Sequence, residues 1–220
     1  MNKKLVKVLV GSLSLVTFGL GLDSSATAKA AVDFTGWSTP LRQCKVATPT
    51  YGYSFPNTHI TYYIKSRSKT YRSIWEKAAA GWNKNGELHL TQVSNPHQAQ
   101  MLLTTRADSP DGHGKYAGLT ESVKSGSETV LYSESRIYRN VLNRHGYTYQ
   151  DKISVGEHEI GHALGLAVSP YKGSIEYLYT VDQHISAPDW NAISKLYKNK
   201  PAKVTGGFYN NNVSDSQFKY

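Results

Sequence analysis

His158, Glu159 and His162 fall within five consecutive residues, His-Glu-Ile-Gly-His. On an α-helix, side chains four apart share one face a turn from each other, so both imidazoles can point at one cation while Glu159 reaches beside it. Zinc-assisted hydrolysis needs that set: neutral nitrogen donors about 2.0–2.1 Å from the metal, and a carboxylate that takes a proton from water without ligating. The expected roles are therefore metal ligands for His158 and His162 and general base for Glu159. The bland alternative is two histidines that happen to share a surface helix, and eight histidines in the whole chain make that coincidence uncommon.

A helix must carry this constellation, and the sequence supplies one over Tyr149 to Leu164, ending at Gly165, a residue suited to the left-handed turn that stops a helix. Upstream, Ile60, Tyr62 and Ile64 alternate with Thr61, Tyr63 and Lys65 as in a strand with one buried face. Tyr71, Ile74, Trp75, Ala78, Ala79 and Trp82 recur at steps of three and four, predicting an amphipathic helix capped by Thr70. Further strands are expected at Leu88 to Val93, Gln100 to Thr105, Lys115 to Thr120 and Thr129 to Ile137. A last helix starts at Ser186, where Asp189 three residues on closes a capping box. Its apolar face is Trp190, Ile193, Leu196 and Tyr197.

The chain has 220 residues, 39% hydrophobic and 19% charged, which suits one globular domain and excludes a disordered or collagen-like chain. Its single cysteine, Cys44, excludes a disulfide framework and a thiolate zinc cluster. Lys3, Lys4 and Lys7 lead into an apolar run from Val8 to Leu22 and then into Ala28-x-Ala30. This reads as a secretory signal over residues 1–30, because the run is shorter than the roughly 20 residues a spanning helix needs. An irregular lead-in over 31–57, a domain over 58–199 and a flexible tail over 200–220 are expected to follow. The whole chain carries +9, and losing four Lys and one Asp with the signal leaves about +6. An exported basic protein meets anionic cell-envelope or matrix polymers. No basic run or motif points to nucleic acid, no membrane span is expected after signal cleavage, and the expected state is a monomer.

His158 to Leu166, read as His-Glu-Ile-Gly-His-Ala-Leu-Gly-Leu, resembles the metzincin zinc peptidases and most closely their matrixin branch. Residues 60–65, 75–82 and 88–94 resemble the first strand, first helix and second strand of the matrixin catalytic domain. Gly173, Ser174, Ile175 and Tyr177 resemble its turn beneath the metal, and Ser186 to Tyr197 its last helix. The resemblance implies an α+β fold with a twisted, mostly parallel sheet of about five strands, three helices and a substrate cleft along an edge strand. It also implies a secreted zinc metalloendopeptidase acting on proteins or peptides, with Zn2+ as cofactor and Ca2+ as a second candidate ion.

The match breaks around the metal. The family's third histidine position is Val168, which has no donor atom, and its turn methionine is Glu176; Leu178 stands where a proline is common. Either another group completes the shell, Glu176, Asp182 or His184, or the site has weakened and the chain is a non-catalytic module that binds the envelope or matrix. A carboxylate third ligand is chemically sound, and retention of Glu159 favours an active site.

Weaker signals remain. Cys44 lies where matrixin zymogens carry a zinc-blocking cysteine, yet too little chain precedes it for a folded prodomain, so a plain thiol is the simpler reading. Asp108, Asp111 and His113 share a loop where the family often holds structural metal, although loop Asp and Gly are commonly turn formers. His59, His89, His97 and His145 have no spaced partners and read as surface or packing residues.

Overall fold

The computed structural model describes residues 11–12, 47–110, 116–126, 128–177 and 183–203. Residues read as signal other than 11–12, the lead-in before 47, Cys44, Asp111, His113, Asp182 and the tail beyond 203 lie outside them.

Six strands form one sheet: β1 (Gly11–Ser12), β2 (His59–Lys65), β3 (His89–Gln92), β4 (Met101–Arg106), β5 (Gly118–Ser125) and β6 (Thr129–Tyr138). The order is β1-β5-β6-β4-β2-β3, with β1 only two residues long. Every pairing is parallel except β5 with β6, which run antiparallel. The expected α+β architecture with a mostly parallel sheet is found. The strand expected at Lys115 to Thr120 runs later, over Gly118–Ser125, because Thr120 and Ser122 are buried hydroxyls and the segment lacks a clean apolar alternation.

The helices are α1 (Lys69–Trp82), α2 (Arg139–Arg144), α3 (Tyr149–Leu164) and α4 (Ala187–Leu196). The cap of α1 is Ser68 rather than Thr70, its hydroxyl accepting from the Tyr71 N–H. The fourth helix, α2, was not expected. Six residues long, it buries only Val141 and Leu142 and has no side-chain cap bond, so it leaves almost no periodic trace. Around α3 the local rules agree. Thr148 and Asp151 form a capping box at its start, and Gly165 ends it at φ 104.

α1 and α3 pack on each other and α3 lies on β5 and β6, with Trp75 and Trp82 fully buried between them. Fully burying one such side chain contributes roughly 1.5–3 kcal/mol, and both indoles also satisfy their N–H. Trp75 donates to the Thr104 carbonyl at 3.2 Å and Trp82 to the Glu157 carbonyl at 2.9 Å. Gly156 lets the helices close, since a Cβ there would stand 3.0 Å from Cβ of Ala78. Residues 47–57 are irregular but not superficial: Thr48, Tyr53 and Phe55 are buried, and Tyr51 N–H bonds to the Gly165 carbonyl. At the other end, the His59 N–H is held by the Ala202 carbonyl. Among the described residues, no helix is long and apolar enough to cross a membrane.

Candidate metal centre

α3 presents His158 and His162 from one face, with ring centroids 4.5 Å apart and the planes nearly perpendicular. Both are buried, at 4% and 1% exposure. Each ring is held by its Nδ1. His158 donates to the Ile175 carbonyl at 2.8 Å, and His162 to the Leu166 carbonyl at 2.9 Å. The second bond follows from the helix stop, because the turn at Gly165 brings the Leu166 N–H back to the Gly161 carbonyl and aims the Leu166 carbonyl at the ring.

Fixing Nδ1 as the proton-bearing nitrogen leaves Nε2 of each ring as a lone-pair donor, and both Nε2 atoms are buried with no hydrogen-bond partner. Burial pushes the His158 imidazole down to about 4 and that of His162 to about 3, the latter helped by His158 beside it. Both are therefore neutral at physiological pH, the state in which an imidazole binds a cation.

Of the three groups expected as a further donor, Glu176 joins the rings. His158, His162 and Glu176 offer ligand-type atoms all within 4.8 Å of one another. Glu176 is fully buried, and its Oε2 lies 3.3 Å from Nδ1 of each imidazole. These contacts are not hydrogen bonds, because each Nδ1–H is directed at its backbone carbonyl and both Glu176 oxygens remain without partners. Burial, with Asp189 and Glu159 nearby, holds its carboxyl well above the usual range. His184 stands elsewhere: half-exposed, it faces Glu157 and Ser154, each at 3.4 Å. Val168, half-buried, contributes no donor.

Glu159 turns toward the sheet. Its carboxylate packs over Gly118 of β5, in space that a Cβ at that position would occupy. Thr120 Oγ1 lies 2.6 Å from Oε2, while Oε1 is buried without a partner. The Glu159 carbonyl is within reach of Thr120 Oγ1 at 2.9 Å and Ser135 Oγ at 3.1 Å, so the two hydroxyls can serve carboxylate and carbonyl between them. Burial raises the Glu159 carboxyl to about 8, against the lowering effects of the Thr120 bond and the Arg136 charge.

Several contributors to the site carry no motif in the sequence. Asp189, read only as a helix cap, accepts from Ser174 Oγ at 2.7 Å, Ile175 N at 3.1 Å and Ser186 N at 2.9 Å, and from Thr48. It thereby fixes the turn whose Ile175 carbonyl orients His158. Thr120 and Ser135 could have been found as hydroxyls at strand positions that point inward. His59 and His89, read as singletons, meet edge to face across β2 and β3 with centroids 4.5 Å apart, because the parallel register places them side by side. Asp108 accepts from Asn140 Nδ2 at 2.9 Å.

The sheet, the helix bearing His-Glu-x-x-His and the turn packed under it define a metzincin-type metalloprotease domain. The chain belongs to the matrixin peptidase family, whose pattern matches residues 54–198. It is similar to the interstitial collagenases of Sus scrofa, 29% identical over 157 residues, and Equus caballus, 27% over 153. Each match covers 64% of this chain and 32% of the collagenase. A putative matrix metalloproteinase of Trichoplusia ni ascovirus 2c is 27% identical over 169 residues, 66% of this chain and 33% of the viral protein. The chain thus spans about a third of the length of these curated relatives.

Proposed function

We propose that the chain is a secreted zinc-dependent endopeptidase in which His158 and His162 hold the metal, Glu176 is the third protein donor and Glu159 is the general base. The observation that carries this reading is the pair of buried, neutral, unpartnered Nε2 atoms. A buried polar atom left unsatisfied costs about 1–3 kcal/mol, and a cation between the two rings removes both costs. Two histidines and a glutamate form a recognised donor set for catalytic zinc. When bound, zinc supplies a Lewis acid that polarises a peptide carbonyl and acidifies water.

The remaining steps belong to the chain's own groups. Thr120 anchors one oxygen of Glu159, so the partnerless Oε1 is the atom free to take a proton from the attacking water and pass it to the leaving amine. At about 8, the Glu159 carboxyl is largely protonated at neutral pH without a metal, and a dication beside it favours the ionised form the base requires. β5 runs next to Glu159 and, among the described residues, pairs on the side away from β6 only with Gly11 and Ser12, which fall in the stretch read as signal, so after signal cleavage an extended peptide can add along that edge by main-chain bonds. The purified protein should hold about one zinc and cleave an unstructured protein in a chelator-sensitive way. Glu159→Gln should keep the metal and lose the cleavage.

A second reading, a weakened metzincin-fold module that binds anionic envelope or matrix polymers, draws on one observation. Glu176 approaches the Nδ1 atoms already occupied by backbone carbonyls, which suits a neutral acid packed beneath the rings. Absence of stoichiometric zinc from the unmutated protein would select that reading.

A further inference from the structure

A cavity of about 450 Å³ away from the candidate metal centre is bordered by Lys65, Arg67, Arg72, Arg106 and Arg139, and no carboxylate among the described residues lines it. Its position follows from the topology. β2 and β4 lie side by side in parallel, but α1 carries the chain from β2 to β3 on one side, and the chain leaves β4 for β5 and β6 on the other. Connections that depart in opposite directions open a crevice at the carboxyl ends of the strands, where open parallel sheets take their ligands. Residues 63–68 and 104–106 form its walls.

The charges there are poorly neutralised by the described residues. Arg106 approaches Glu134 at 3.6 Å, but that carboxylate is already engaged by Arg136 at 2.8 and 2.9 Å. Arg72 donates to the Ile64 carbonyl at 3.2 Å, a neutral partner. The first turn of α1 holds no acidic residue, and Lys69 and Arg72 stand there instead, the reverse of what the positive end of a helix favours. Local choices that oppose folding preferences mark functional positions more often than chance.

We propose that this cavity binds a tetrahedral oxyanion, the phosphate or sulfate ester group of a larger anionic ligand. Four guanidinium groups offer paired N–H donors that match such oxygens, Lys65 adds a point charge, and the hydroxyls of Ser66 and Thr105 line the wall as neutral donors. The site stands apart from the imidazoles and holds whether or not the chain cleaves peptides.

Calorimetric titration of the full chain with inorganic phosphate and with sulfate, at low ionic strength, reads it directly. Saturable binding of about one anion per chain is expected, weakened at least tenfold in Arg67→Gln/Arg139→Gln and by less than twofold in Lys77→Gln/Lys84→Gln, which removes as much charge elsewhere on the surface. Circular dichroism checks the fold, and Lys65→Gln/Arg106→Gln replaces the first pair should it not fold. No saturation overturns the proposal. So does equal weakening in both pairs, which means diffuse attraction, or weakening in neither, which puts the anion elsewhere. A sulfated hexasaccharide and a glycerol phosphate oligomer then show whether the ester is sulfate or phosphodiester.

Discussion

Thr120 Oγ1 stands 2.6 Å from Oε2 of Glu159, and so a strand residue decides which oxygen of the helix carboxylate is tethered and which is free. The bond also lowers the affinity of the carboxyl for its proton, opposing the burial that raises it to about 8. Thr120→Val keeps the shape and removes the hydroxyl. The expected result is an acidic limb of kcat/KM moved to higher pH, with a lower rate at neutral pH, by less than the roughly 10²–10⁴-fold that a general base contributes in full. A pH–rate profile measured against the unmutated protein checks it; an unmoved limb would remove Thr120 from the site.

Gly161 occupies the helix turn between the two imidazoles, and a Cβ there would run into the Glu176 carboxyl and stand 3.1 Å from the Trp82 ring. Alanine in a helix interior gains about 1 kcal/mol over glycine, whereas forcing an atom into a packed core costs about 1–3 kcal/mol. Trp82 is tied to Glu157 and cannot yield, so the clash should win. Gly161→Ala is expected to lower the melting temperature by a few degrees, about 2–4 °C per kcal/mol at this length. Truncating Glu176 to Ala in the same chain should recover part of the loss.

The legible parts of this fold are those where a local rule and the tertiary structure demand the same residue. The histidine helix ends at a glycine stop, Gly165, and carries a capping box at Thr148 and Asp151, so its extent over 149–164 follows from the sequence. The Ser186–Asp189 box was equally readable. Ser68 and Thr70 are both capping hydroxyls two residues apart, and periodicity does not choose between them. The start of β5 was missed because its inward positions carry Thr120 and Ser122 instead of aliphatic residues. Those hydroxyls face Glu159 and Ser133, so the disrupted alternation was itself a sign of the site. The His59–His89 pair depends on register between positions thirty apart in the sequence, which spacing does not encode. Glu176 came into view through the family turn rather than through any pattern in this chain.

Glu176→Gln separates the two roles open to that carboxyl. As a zinc donor, Glu176 brings negative charge that an amide lacks, and its loss should weaken zinc binding by about ten- to a hundredfold or more, the scale of even outer-shell changes at metal sites. As a buried neutral acid, it is nearly isosteric with glutamine, and zinc affinity should stay within a few fold while stability rises. Competition for zinc against a chromophoric chelator, read beside a thermal melt, gives both numbers for one variant.

The metal-free protein should lose stability as pH rises between about 6.5 and 8. Burial depresses His158 to about 4 and His162 to about 3 from the usual 6.5, so the unfolded chain protonates first. The stability from these imidazoles is complete above 6.5 and is lost as pH falls toward 3. Glu159 has the opposite sign. The folded state keeps a proton up to about 8 that the unfolded chain releases near 4.5, so its contribution is complete below 4.5 and is lost as pH climbs through 8, with Glu176 acting in the same direction. The two effects oppose each other between 4.5 and 6.5, and above 6.5 only the carboxylates remain. Zinc should flatten or reverse the slope, because a buried dication stabilises the ionised carboxylates and the ligating nitrogens need no proton. Denaturant unfolding across this window, with chelator and with excess zinc, measures both slopes; a chelated protein that grows more stable toward pH 8 would contradict the burial of Glu159 and Glu176.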